Sequence, residues 1–450
     1  MKLTSNIVVK VLNALVILVY VLFRIYNSLT VTPFFDNFDS PQYFKFSFFP
    51  SFRMQGITFF YSLIQIESGI VIFQTLIGIL AITYLWKIIH STIYSNLLKF
   101  IFTVVFFFFA SSSVIVEHDA SLLSESLSLS SAIFLFAATS NYLLIKKNSQ
   151  NIIILIFALI WFSSTKSSNA IISPIIFLVL LFIVIQKFRN NLRVLMSLVF
   201  CGVAIFFLFS TALSSNVTKT LTTSGTINNR IWVNEKWREE LLISGYPSNS
   251  HDIWLAHTKE NLGSPADQAV VDLPEFKSWW EQGGENFLLK FLFSNPDYAI
   301  FGPIALPLFN SEYNYRKTLL SGWSQGTDLT YDYEGFLNSK APRTILWPDE
   351  PEKAYLMIGI VFISLGIFTM FFRSKSKSDL ILILFTLITI IIWSYPNWWF
   401  GSKPADMARH NLIAAVMWRI LFIVSFFRFV NIFRFRTLMY PNKLKENKLN

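Results

Sequence analysis

Residues 97–145 read LLKFIFTVVFFFFASSSVIV, then EHDA, then SLLSESLSLSSAIFLFAATSNYLLI. Two apolar runs flank one short acidic turn. A helix needs about 20 mostly apolar residues to cross hydrocarbon, and each run is long enough. Glu117, His118 and Asp119 have almost no loop between the runs, so they are held at a membrane edge. The segment reads as a transmembrane hairpin with an ionisable tip. Lipid offers no partner for a free backbone N–H or C=O, so the runs must be helices.

The pattern continues on both sides. Apolar stretches recur at about 7–31, 64–86, 97–116, 121–145, 151–165, 169–186, 194–213, 354–372, 379–396 and 409–432. The chain is 53% hydrophobic and only 14% charged, with 48 Phe. Soluble domains carry roughly a quarter charged residues, so a soluble enzyme and a disordered chain are both excluded. A single Cys, Cys201, excludes a disulfide scaffold. The fold class is an all-α polytopic membrane protein of about ten transmembrane helices with one large extracytoplasmic loop. Three regions follow: 1–213 with seven helices and a first outer loop at 32–63, the loop region 214–353, and 354–450 with three helices and a basic tail. The first span reads as a membrane helix and not as a cleavable signal.

Charge sets the orientation. Lys87, Lys99, Lys146, Lys147, Lys187, Arg189, Arg193, Arg373, Lys375, Lys377 and the tail from Arg434 to Lys448 all fall on one side of a ten-span topology. That side is expected to be cytoplasmic, with both termini there, in a multi-pass plasma-membrane protein. Of the 27 acids, only Asp379 and Glu446 share it. The net charge of +10 then reads as attraction to anionic lipid head groups and not to nucleic acid.

Ionisable groups beside hydrocarbon are costly, so their positions are informative. Asp36 and Asp39 follow span 1 within Phe34-Phe35-Asp36-Asn37-Phe38-Asp39-Ser40-Pro41-Gln42-Tyr43. A carboxylate balanced between burial and a nearby cation can take a proton from a sugar hydroxyl; the same residues also suit a solvated turn capping a surface helix. Glu117, His118 and Asp119 are a candidate substrate-binding group or a polar hairpin tip. Their spacing is too tight for three ligands of one tetrahedral metal, and no metal is assigned. Glu125, inside the stretch 121–145, is a candidate site residue or a structural hydrogen-bond partner of neighbouring Ser side chains. Lys166, in Thr165-Lys166-Ser167-Ser168-Asn169, is a candidate cation for a ligand or a snorkelling side chain. Arg409 and His410 open the last span. Arg offers a planar fork suited to phosphate, and the alternative is a helix start capped by Asp406. The Trp residues of 214–353 (Trp232, Trp237, Trp254, Trp279, Trp280, Trp323 and Trp347) suit sugar stacking or, more simply, an interfacial aromatic belt. The long loop is expected to form helices lying along the membrane surface with irregular segments between them.

In order and place these motifs resemble the GT-C superfamily of polytopic glycosyltransferases. Asp39-Ser40-Pro41-Gln42-Tyr43 is similar to an acidic motif after the first span. Leu122-Leu123-Ser124-Glu125-Ser126-Leu127 resembles a Ser/Thr-Glu-Ser helix start. Thr165 to Ala170 resembles a basic turn two spans later, and Arg409-His410 resembles a late Arg motif. The likeness covers 1–213 and 354–432 and leaves the long loop unmatched; an Asp pair replaces the usual Asp-Glu pair. The resemblance implies transfer of a sugar from a polyprenyl-phosphate donor to an extracytoplasmic glycan, lipid or protein acceptor. Asp39 is then the expected base, with Asp36, Glu117, His118 or Asp119 holding a substrate. Arg409, with His410 or Lys166, neutralises the departing phosphate. No cofactor is assigned, a divalent ion being possible on the resemblance alone. The competing expectations are a lipid-linked glycan polymerase or ligase, with its principal residues in the largest outer loop, and a transporter or structural membrane partner.

Overall fold

The computed structural model describes residues 2–33, 40–47, 53–188, 190–214, 216–260, 266–301, 377–400 and 412–439. The positions of Asp36, Asp39, Arg409, His410, Trp323 and Trp347, and the span at 354–372, lie outside the described residues. Every regular element among the described residues is helical. The bundle comprises α1 (Lys2–Thr30), α2 (Ser40–Tyr43), α3 (Gln55–Ile64), α4 (Glu67–Ser91), α5 (Asn96–Ala110) and α6 (Ser113–Val116). It continues with α7 (Glu125–Ser140), α8 (Ser149–Thr165), α9 (Ser167–Phe188) and α10 (Leu192–Ser214). The long loop forms α11 (Asn216–Thr226), α12 (Glu235–Ile243), α13 (Ser250–Glu260), α14 (Ala266–Val271), α15 (Pro274–Glu281) and α16 (Phe287–Ser294). Two long helices follow, α17 (Lys377–Phe400) and α18 (Leu412–Met439).

Among the described residues, five helical segments are long and apolar enough to cross a membrane: Ile7–Thr30, Glu67–Ser91, Glu125–Ile145, Ser167–Ile185 and Leu192–Ser214. Asn96–Ala110, Ser149–Thr165 and Leu380–Thr389 are apolar and shorter. Their outer faces carry large exposed side chains such as Val19 and Leu22 of α1, Phe182 of α9 and Phe206 of α10. Such faces would aggregate in water and are matched to lipid. The chain is a membrane-embedded helical protein.

Helix α7 is the axis of the bundle. Every residue of it except Phe134 is buried, and α4, α8 and α18 pack around it. Ser126, Ser128, Ser130, Ser131, Ala132, Ala137 and Ala138 keep its surface small, so neighbouring backbones approach closely. Other helix starts are legible locally. Asn148 accepts from Asn151 N at 2.9 Å to open α8, and Asn234 accepts from Trp237 N at 3.2 Å to open α12.

Contacts at opposite ends show the helices alternating. At one end Tyr94 N donates to Asn431 Oδ1 at 2.8 Å, while Arg428 and Asn431 both donate to Thr92 O at 3.2 Å. Lys87 and Lys99 flank that turn in the sequence. At the other end Met54 packs with Ala170 and Leu208. There too Trp399, near the end of α17, donates to Ala299 O at 2.9 Å. The single span expected at 97–116 is broken instead. α5 stops at Ala110, Ser111 turns its hydroxyl back to Phe107 O at 2.8 Å, and α6 restarts at Ser113. Serine competes for backbone groups and so favours such breaks.

The loop helices do not spread into a belt. Ile227, Ile231, Leu241, Tyr246, Trp254, Phe276, Trp279, Phe287, Phe291 and Tyr298 form a core of their own. Trp232, Trp237 and Trp280 are partly buried against it. Gly283, at φ 114°, makes the turn after α15, and Gly284 lies so close to Trp279 that a Cβ there would sit 2.5 Å from the indole. Five of the seven loop Trp thus pack a small helical unit. Apolar side chains that can bury one another in a fold of their own gain more than they would at a half-wet interface.

Candidate functional site

The hairpin tip is built around Arg24. Its guanidinium is buried on α1 and forms an ion pair with Asp119. It also donates to Tyr20 OH at 3.1 Å and to Ala110 O at 3.4 Å, so it closes the C-terminus of α5 as well. Gly78 of α4 makes room for it, since a Cβ there would lie 2.9 Å from Arg24 Nη2. Asp119 has further partners: Oδ2 accepts from Thr75 Oγ1 at 3.3 Å and Oδ1 from Ser126 Oγ at 2.8 Å. Gln74 donates to Asp119 O at 3.1 Å and to Ser121 O at 3.0 Å. This network fixes the turn 117–124. The charge of Asp119 is neutralised inside the protein, which gives it the role of a bracket for the turn. His118 is buried beside it at 3% exposure, and the side chain of Glu117 lies outside the described residues.

Glu125 is the first residue of its helix, whereas the sequence places it inside the apolar stretch 121–145. It opens α7 because residues 122–124 form a bend and not a helical turn. There it pairs with Lys166, Nζ to Oε1 at 3.1 Å, across the turn between α8 and α9. Both side chains are largely buried, at 10% and 4% exposure, so each charge depends on the other. Asn169, one turn into α9, donates to Ser128 Oγ at 2.7 Å and Thr165 Oγ1 at 3.1 Å, locking α7 to the same turn.

The segment between α1 and α4 folds against the residues just before Glu125. Ser40 Oγ donates to Leu122 O at 3.1 Å. Tyr61 OH donates to Leu123 O at 2.8 Å, and its ring stands 5.7 Å from that of Tyr43. Burial raises the Tyr61 hydroxyl well above its ordinary pKa, with Tyr43 and Glu125 adding to the effect, so it remains a proton donor. Arg53 stacks over Tyr43 at 4.9 Å.

The structure therefore joins Ser40 and Tyr43, the stretch Leu122 to Glu125, and the turn at Lys166 to Asn169. Together they form one polar cluster at the end of the bundle opposite the basic turns. Arg24, Gln74, Tyr61 and Arg53 belong to it without a site role having been read from the sequence. Arg24 and Gln74 carried a signal, being polar in apolar spans. Tyr61 and Arg53 carried none, because they lie in a loop whose folding back is a tertiary fact. No group of His, Cys, Asp and Glu suited to a metal ion occurs among the described residues. No family model, no curated protein and no solved structure matches the chain.

Proposed function

We propose that this chain is a membrane glycosyltransferase of GT-C type. It moves a sugar from a polyprenyl-phosphate donor to an extracytoplasmic glycan, lipid or protein acceptor. The reading includes about ten spans, both termini on the cytoplasmic side and the active site on the outer side of a plasma membrane. The observation that supports it is the meeting of three distant motifs. Ser40 is bonded to Leu122 at 3.1 Å, and Glu125 to Lys166 at 3.1 Å. Asp39 directly precedes Ser40 in the sequence.

In this reading Asp39 orients or deprotonates the acceptor hydroxyl, with Asp36 beside it. A general base contributes typically about 10²–10⁴-fold. Lys166, held by Glu125, stands where charge collects on the departing phosphate, joined by Arg409 and His410. Glu117 and His118 hold a substrate near the hairpin tip. A dry, preorganised cation at a leaving group acts with little solvent screening.

The test is transfer of a radiolabelled lipid-linked sugar in membranes. Asp39→Asn at normal expression is expected to lower transfer by at least about 100-fold. Unchanged transfer in that variant, with loss on altering Arg230 or Trp237 of the loop unit, moves the assignment to a lipid-linked glycan polymerase or ligase.

A further inference from the structure

The small core of the loop unit uses only one side of α16. Phe287, Leu288 and Phe291 are buried in it, and so is Tyr298 of the π-helical turn Asp297–Phe301 that follows. The helical course runs on through the junction, because Asn295 N donates to Phe291 O at 2.9 Å and Ala299 N to Asn295 O at 2.9 Å. Trp237 of α12 stands edge-on to Phe291 at 5.7 Å and to Tyr298 at 5.4 Å, and Asn295 Nδ2 donates to Glu240 Oε2 at 2.9 Å. Residues 291, 295 and 298 therefore mark one face, turned to α12 and the core.

The opposite face is apolar as well. Leu289 is 58% exposed, Phe293 82% and Ile300 47%, with Pro296 exposed between the last two. Spacings of four, three and four residues set them in one stripe along a helix. Lys290, Ser294 and Asp297 are exposed along its flank. Such a row of large apolar side chains is not a surface made for water.

Two hydrogen bonds show what lies nearby. Trp399 Nε1 donates to Ala299 O at 2.9 Å, and Thr226 Oγ1 donates to Trp399 O at 3.4 Å. Trp399 is the next to last residue of α17, whose 24 residues rise about 36 Å and so can cross hydrocarbon. Leu384 and Ile388 give α17 an exposed apolar face of its own. Its sequence ends in Tyr395, Trp398, Trp399 and Phe400, the residue types of a membrane–water boundary. The segment 287–301 is thus bonded to the boundary end of a membrane helix. On its core side lies α12, with Glu235, Lys236 and Glu239 exposed, which belongs in water. The apolar stripe is turned the other way and continues the lipid-facing surface of the bundle.

We propose that the segment 287–301 is an interfacial foot of the loop unit. Leu289, Phe293 and Ile300 enter the acyl chains of the leaflet on that unit's side, and Lys290 reaches toward the phosphate head groups. The bonds to Trp399 alone leave the unit free to pivot about one point. A row of apolar side chains in the leaflet fixes its tilt over the bundle. This seat is independent of sugar chemistry and holds equally for a chain that transfers no sugar.

The test uses the full chain in vesicles of phosphatidylcholine and phosphatidylglycerol. A nitroxide is attached at Leu289→Cys, Phe293→Cys, Ile300→Cys, Lys290→Cys, Ser294→Cys or Glu239→Cys, one at a time. Cys201 is 0% exposed, and the unsubstituted chain supplies the blank. Collision with oxygen, which concentrates in lipid, is compared with collision with a water-soluble nickel chelate. The oxygen-to-nickel ratio is expected to be at least about threefold higher at 289, 293 and 300 than at 239, with 290 and 294 between. Adding Phe293→Glu to Leu289→Cys is expected to bring the label at 289 to the ratio seen at 239, because a carboxylate is expelled from acyl chains. Stripe labels that match the label at 239 place the stripe in water and overturn the proposal. Labels shielded from both reagents place protein over the stripe, a later part of this chain or a second copy, and overturn it equally. A label at 289 that ignores Phe293→Glu does the same.

Discussion

Replacing Arg24 with Met tests the architecture of the hairpin tip. The guanidinium is about 1% exposed, and its partner Asp119 about 7% at the side chain. Removing one member of a buried ion pair leaves an uncompensated charge, and the usual cost is about 3–5 kcal/mol. Asp119 would retain only neutral donors, Thr75 and Ser126, while Ala110 O and Tyr20 OH each lose a bond. With an unfolding entropy of about 2.1 cal/mol/K per residue, a chain of this length loses about 1 °C per kcal/mol, so Arg24→Met should melt about 3–5 °C lower. Helices that persist in the denatured state reduce that entropy and enlarge the shift. The assay is thermal unfolding in detergent with a thiol-reactive dye, for which Cys201, the single cysteine and fully buried, is the reporter. The Asp119→Asn variant should also be destabilised. The double variant should recover part of the loss, because it removes both charges. Strictly additive losses, or an Arg24→Met protein that melts with wild type, would refute the bracket assigned to this pair.

Two further perturbations probe other contacts. Gly56→Val places a side chain where Ser164 Oγ would be 2.2 Å and Ser164 O 2.8 Å from its Cβ, and the backbone carbonyl cannot yield. Overpacking of this kind costs about 1–3 kcal/mol, and a lower yield of monodisperse protein on size-exclusion chromatography is the readout. His251 is stacked between Trp232 and Trp254, at 5.2 Å and 5.9 Å. Burial lowers its pKa, assisted by Arg238 and opposed by Asp252, so the unfolded chain takes up a proton at higher pH than the folded one. Stability is therefore complete above about pH 6.5 and declines as pH falls from there toward the lowered folded value. Melting followed by tryptophan fluorescence should show this decline in wild type and a weaker one in His251→Phe. Equal pH dependence in the two proteins would remove His251 as its source.

Much of the bundle was readable from local pattern. The spans at 7–31, 64–86, 151–165, 169–186 and 194–213 correspond to α1, α4, α8, α9 and α10 within a few residues, because a run of apolar side chains has no other stable form in lipid. The differences from the sequence reading lie at helix boundaries and in how the loop tryptophans pack. The serines at 111–113 and 121–124 look like small polar residues inside apolar runs. They become breaks because Arg24 and Gln74, distant in sequence, supply partners for the carbonyls those breaks release. The loop tryptophans carry no strong period, so a belt and a core give similar local sequences. Only the closure of α11 to α16 on each other distinguished them.

Composition and hydropathy by themselves determined that this is a helical membrane protein, where its helices run and which turns carry its basic residues. These properties depend on single segments exchanging water for lipid. Tertiary structure alone decided that Ser40 meets Leu122, that Glu125 pairs with Lys166 and that Asp119 pairs with Arg24. Such pairings depend on how helices rotate and lean against each other. That geometry is set by close packing over the whole bundle and leaves no periodic trace along the chain.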